Sequence, residues 1–211
     1  AVTTPEIGKT YIAIWTACNH DTKAYTASGT VLTESCADCG HVFGTATVAA
    51  PAEVTYSGSE KIATVTNSSG WTDAVLTPVY YNGSTQLHNA PINAGTYTAK
   101  ITAGGVSASV DFTITKATPD IKISADQTSL IGSGTVKLTV TGAPAEGSVK
   151  VTCDNDITVT QNEGGTYSAA LPNESKTYTF KASYTGAENG NYSDKDAKCT
   201  VTVTRRSSGS G

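Results

Sequence analysis

Residues 96–102 read TYTAKIT, with Tyr97, Ala99 and Ile101 alternating with Thr98, Lys100 and Thr102. A period of two with one apolar and one wet face predicts a half-buried antiparallel strand. The same parity recurs late in the chain, in Val136, Leu138 and Val140, in Val149, Val151 and Cys153, and in Cys199, Val201 and Val203. Those positions are expected to face a core, the two cysteines included. Alternation bounded by Gly, Asn and Ser turns places further strands at 54–56, 62–66, 75–81 and 107–115, and then at 121–124, 157–161, 167–171 and 178–184. Long helical periodicity is not found.

Two prolines punctuate this pattern. Pro51, in VAAPAEVTYSG, lies between small-residue runs, and Pro119, in ITKATPDIKIS, follows a strand-like stretch. Boundaries there divide the chain into segments 1–50, 51–118 and 119–206, followed by a flexible Ser/Gly tail, 207–211. The last segment holds seven short predicted strands, the number expected of a sandwich. Composition agrees with an all-β chain: Thr and Val are abundant, Gly numbers 20 and Met is absent. An apolar content of 38% over 211 residues supports several modest cores rather than one large one.

The formal charge of −4, with Arg205 and Arg206 the only arginines, lacks the basic stripe that nucleic-acid binding needs. No apolar run is long enough to span a bilayer, and no charged-then-apolar leader opens the chain, so a soluble, processed or excised piece is expected.

The candidate chemistry is concentrated near the start, where Cys18-x-His20 and Cys36-x-x-Cys39-Gly40-His41 are separated by fifteen residues. Zinc takes four N/S ligands in a tetrahedron, and two short chelating pairs on turns joined by a hairpin supply them at low entropic cost. Cys18, His20, Cys36 and Cys39 are the expected ligands, with His41 the substitute if His20 points away. Four protein ligands leave no open position, so such a zinc is structural. The competing reading is a disulfide plus a spare thiol. Five cysteines cannot all pair, whereas three zinc ligands and a Cys153–Cys199 bridge use all five. Two buried free thiols packing as small hydrophobes are the alternative to that bridge. Haem attachment is excluded because Gly40 separates Cys39 from His41.

Other motifs fail on spacing. Gly8, Lys9 and Thr10 suggest a phosphate loop, but Thr3 stands where its first glycine belongs. Asp154 and Asp156 begin like a calcium loop that lacks its sixth-position glycine and twelfth-position carboxylate. His88 has no partner at motif spacing, so no catalytic residue is assigned and the chain is expected not to be an enzyme. Trp71, Tyr80 and Tyr81 would form a glycan-stacking platform if exposed, or fill the core if inward.

PINAGTYTAKITAGGVSASVDFTITKATP resembles the end of the small Ig-like or mucin-binding-type repeats of Gram-positive surface proteins. GSGTVKLTVTG, GTYSAALPN, YTFKASYTG and CTVTVT are similar to bacterial Ig-like repeats of the same proteins. The Cys/His segment resembles the short zinc-ribbon-like repeats of clostridial surface proteins. These resemblances imply a zinc-ribbon-like β module followed by two Ig-like β-sandwich domains in a row, on the bacterial cell surface. The implied role is structural or interactive, by projection or by assembly through strand edges. Carbohydrate or mucin binding is the alternative, with a glycan, a mucin or another surface protein as partner. A third reading is an accessory region of a larger surface enzyme.

Overall fold

The computed structural model describes residues 17–207. The first sixteen residues of the first segment, including Gly8, Lys9 and Thr10, and the Ser/Gly end from residue 208 lie outside them. The chain is all-β in sandwich-like sheets, and among the described residues the one helical turn is the 3-10 stretch Glu163–Gly165. Two compact units are present. The first comprises the described residues up to Ala49 with Ala63–Pro78 and Ala99–Val110, and the second comprises Ala50–Ile62, Val79–Thr98 and the described residues from Asp111.

In the first unit, β1 (Lys23–Ser28), β2 (Val31–Cys36), β3 (Val42–Ala49) and β4 (Thr64–Asn67) form an antiparallel sheet in that order. The strand VLTESC buries alternate residues, Leu32, Glu34 and Cys36, as the period of a pleated strand dictates. Glu34 is paired with Gly44 and Leu32 with Ala46, so these share the buried face. Gly44 and Gly70 are required by close approach. A Cβ on Gly70 would lie 1.7 Å from the Phe43 carbonyl oxygen, and one on Gly44 would lie 2.2 Å from the Trp71 backbone nitrogen. Gly70→Ala is therefore expected to cost on the order of 1–3 kcal/mol through forced backbone shift, seen as a lower denaturant midpoint for the N-terminal sheet. An unchanged midpoint would mean that the loop has slack the packing does not show.

A second sheet has the order β6-β5-β7-β8, formed by β5 (Val79–Asn82), β6 (Thr85–Gln86), β7 (Gly95–Ala103) and β8 (Val106–Ile114). The boundary between the units runs through β7 and β8. Tyr97, Ala99 and Ile101 are buried on β7, as their parity requires. Three predicted strands are shorter than expected. Residues 54–56 contribute only a parallel bridge from Thr55 to Thr115. The strand predicted at 75–81 starts at Val79, after Pro78, which has no N–H to give a ladder. Left-handed Asn155 and Asp156 (φ 61 and 57) turn the chain before the strand that begins at Val159.

The rest of the second unit is a two-sheet sandwich. One sheet has the order β13-β14-β11-β9, from β9 (Lys122–Ala125), β11 (Gly134–Thr141), β13 (Val159–Gln161) and β14 (Thr166–Leu171). The other has the order β10-β16-β15-β12, from β10 (Ser129–Ile131), β12 (Ser148–Cys153), β15 (Lys176–Thr185) and β16 (Lys195–Thr204). One apolar core lies between them, with Val136, Leu138 and Leu171 from the first sheet and Tyr178, Phe180 and Val201 from the second, each at most 2% exposed. β10 pairs in parallel with the end of β16, from Ser129↔Thr202 to Ile131↔Thr204. Within the same unit Asn191 links segments distant in sequence. Its side-chain carbonyl accepts from the Ala94 N–H at 2.8 Å, while its own N–H donates to Glu146 Oε1 at 2.6 Å.

Candidate metal centre

The turn between β2 and β3 is closed by two backbone bonds. The Cys36 N–H donates to the His41 carbonyl at 2.8 Å and the Gly40 N–H to the Cys36 carbonyl at 2.9 Å. Gly40 stands at φ 74, in the left-handed region that favours glycine. With the chain turned this way, the N–H groups of Asp38 and Cys39 are directed at the Cys36 sulfur. Burial, the largest influence on Cys36, raises its thiol pKa, but those amides together with His20 and Cys18 outweigh it and bring it down to about 6. The opposite shift falls on Cys18. The His20 N–H favours its thiolate, yet neighbouring Cys36 and Cys39, with burial, push it up to about 11. One lowered thiol beside one raised thiol is the distribution expected of sulfurs crowded around one point.

The distances fit a tetrahedral ion. Cys18 Sγ lies 3.3 Å from Cys36 Sγ, Cys39 Sγ lies 3.3 Å from His20 Nδ1, and the donor atoms of all four residues lie within 4.8 Å of one another. A tetrahedral zinc with ordinary Zn–S and Zn–N bonds sets its donors about 3.6–3.8 Å apart. The four residues named from spacing are thus brought together, close enough to hold a metal ion. His41 is outside that donor group but near it, its ring 5.0 Å from that of His20, and Phe43 makes an edge contact with each.

Beside this centre lies a group that belongs to no sequence motif. Glu34 is fully buried, and its carboxylate receives the Lys23 ammonium at 2.5 Å, the Thr72 N–H at 2.9 Å and the Thr72 hydroxyl at 2.7 Å. Lys23 Nζ also lies 2.5 Å from Asp73 Oδ1, and the Tyr25 hydroxyl donates to Asp73 Oδ2. Burial raises the Glu34 pKa, but Lys23 and Thr72 together hold it below its ordinary value. Asp73 is lowered by Lys23 and then by Tyr25. Lys23 is raised by Asp73 and Glu34, and the bond to Asp73 takes Tyr25 up to about 12. Parity was the available signal, because Glu34 shares the inward positions of Leu32 and Cys36.

One expectation is corrected. The Cys153–Cys199 bridge is absent, and both cysteines are free. Cys153 pairs with Phe180 on one side of β15 and Cys199 pairs with the same Phe180 on the other, so the two thiols face one way but lie two strands apart. Two inter-strand spacings amount to about 9–10 Å, beyond the reach of a disulfide. Of the two placements open to the aromatics, Trp71 and Tyr80 take the inward one, at 8% and 7% exposure, and Tyr81 is half-buried. Trp71 packs at 6.3 Å against Tyr25, and Tyr80 at 6.5 Å against Phe112.

No protein-family model matches the chain, and the search of curated proteins returned no match. Among solved structures the chain is similar to a run of titin domains at 13% identity, covering 77% of this chain and 66% of that one, with a TM-score of 0.43. It is similar to the fibronectin(III)-like modules of Clostridium thermocellum CbhA at 12% identity, covering 79% and 98%, with a TM-score of 0.30. Domains 4 and 5 of the S-layer protein SbsC are similar at 24% identity, covering 61% and 76%, with a TM-score of 0.26.

Proposed function

We propose that this chain is a non-catalytic structural or interaction region of a bacterial cell-surface protein, in which a zinc-clamped, zinc-ribbon-like β module precedes two Ig-like domains with junctions near residues 50 and 118. The observation that carries the reading is the four-donor cluster of Cys18, His20, Cys36 and Cys39. Three sulfurs and one imidazole suit zinc over harder ions, and four protein ligands saturate it, which is the arrangement of a structural rather than a catalytic ion. The metal would tie the segment before β1 to the β2–β3 turn.

Work done by such a region comes from its surfaces. Ile131 is 70% exposed on the sheet-edge strand β10, which supports assembly through strand edges. Binding of a glycan or mucin is the competing role, and an accessory role within a larger surface enzyme is a third. The decisive experiment reads oligomeric state in solution beside a glycan array probed with the same protein. Concentration-dependent self-association that Ile131→Lys abolishes, with an empty array, supports assembly. A monomer that labels a defined set of glycans replaces this reading with the adhesin one.

A further inference from the structure

We propose, resting on the zinc reading above, that a hydroperoxide oxidant exchanges the metal for a Cys18–Cys36 disulfide, which then ties the segment before β1 to the β2–β3 turn in its place. Three placements carry this. Cys18 Sγ and Cys36 Sγ are 3.3 Å apart, so a disulfide requires them to close by only about 1.3 Å. The two cysteines also belong to different pieces of chain. Cys36 ends β2, opposite Lys23 of β1, whereas Cys18 precedes β1 altogether. A bond between them therefore joins the same two pieces that the four donors join. A Cys36–Cys39 bond would lie within a single turn, one that the Gly40 N–H already closes on the Cys36 carbonyl, and would hold nothing beyond it. Burial is the third placement. Cys36 is 1% exposed, which shields the new bridge from thiols in solution and makes it a lasting one.

The step balances with the hydroperoxide as the sole oxidant. The half-buried Cys18 sulfur attacks the terminal oxygen of the peroxide, the O–O bond breaks, and the leaving oxygen takes a proton from solvent to depart as an alcohol, or as water from hydrogen peroxide. Cys18 is then a sulfenic acid. The Cys36 sulfur attacks the Cys18 sulfur, the S–O bond breaks, and hydroxide leaves and takes a second solvent proton to become water. Each sulfur enters as a metal-ligating thiolate and gives up one electron, and the peroxide receives both. Cys39 and His20 remain as donors, two where a lasting structural zinc has four, so the ion is released. Cys39 is left as an exposed free thiol. Return to the zinc form needs a thiol reductant and fresh metal.

Hydrogen peroxide added to the full, zinc-loaded chain tests the exchange, with zinc release, non-reducing peptide mapping and hydrogen exchange read on the same samples. About one zinc per chain should be released. Mapping should link Cys18 to Cys36 and find Cys39 open to alkylation, while protection over 23–49 stays within about tenfold of the zinc form. The reduced chain stripped of zinc by a chelator should instead lose about a hundredfold or more of that protection. Cys39→Ser should form the same bridge whether or not it holds zinc. In Cys18→Ser, peroxide should leave 23–49 unprotected. A zinc-loaded parent that keeps its metal and its thiols under peroxide overturns the exchange and leaves the metal reading standing. So does a bridge that maps to Cys36 and Cys39, or protection lost although Cys18 and Cys36 are linked. A reduced parent that takes up no zinc overturns both.

Discussion

Cys36→Ser is expected to abolish metal binding and to unfold the N-terminal sheet while the sandwich of residues 122–204 keeps its own transition. Cys36 ends β2, opens the turn to β3 and lies 3.3 Å from Cys18, so its sulfur connects both halves of the donor cluster. The buried residues on this sheet are small or polar: beside Leu32 and Val48 stand Ala46, Gly44 and the charged Glu34. Such a core provides little apolar burial, and structural zinc binding, worth about 10–16 kcal/mol in small domains at neutral pH, exceeds what it can supply. Elemental analysis should give close to one zinc per chain for the parent and none for the variant. Hydrogen exchange should show protection lost over 23–49 and retained over 134–204. Reduced, metal-free parent protein with full protection in β1 to β3 would refute the structural role.

Phe180→Ala is the second large effect expected, a loss of about 3–5 kcal/mol in sandwich stability. Phe180 is 0% exposed at the centre of β15 and packs among residues of both sheets. Removing its ring leaves a cavity that paired strands on each side cannot close. The change should also be visible in the flanking thiols. Burial, followed by the charge of Asp154, pushes Cys153 up to about 12, and burial raises Cys199, so both are protonated and slow to alkylate in the folded parent. In Phe180→Ala their alkylation under native conditions should accelerate along with the fall in stability. A denaturant midpoint within error of the parent would mean that the core is not organised around this ring.

Strand parity carried most of what was readable in advance. Tyr97, Ala99 and Ile101, and likewise Val136 and Leu138, are buried as alternation requires, because a pleated strand leaves a side chain only two faces. The proximity of the four Cys and His side chains was readable for a related reason: Cys18 and His20, and likewise Cys36 and Cys39, are too close in sequence to stand far apart in space. Cys153 and Cys199 mark the limit of what parity determines. Parity assigns a face, and it assigned theirs correctly, but it is silent on lateral order, and β15 stands between them. β10 was missed because three residues are too few to show a period. Lys23 and Asp73 carry no local signal at all. Their meeting depends on the loop after β4 returning over β1 and β2, where Thr72 binds Glu34.

The parallel pairing of β10 with β16 determines how the sandwich would respond to tension. Ser129 lies near the beginning of this domain and Thr204 near its end, and the two strands run side by side in the same direction. Traction applied at the two ends draws them in opposite directions along their length. The ladder bonds from Thr202 to Thr128 and from Gly132 to Thr204, each 2.9 Å, are then loaded together in shear. An antiparallel terminal pair pulled from one end would instead unzip bond by bond, each rupture exposing the next. Under load applied at both ends, this short strand would set the force at which the domain begins to yield.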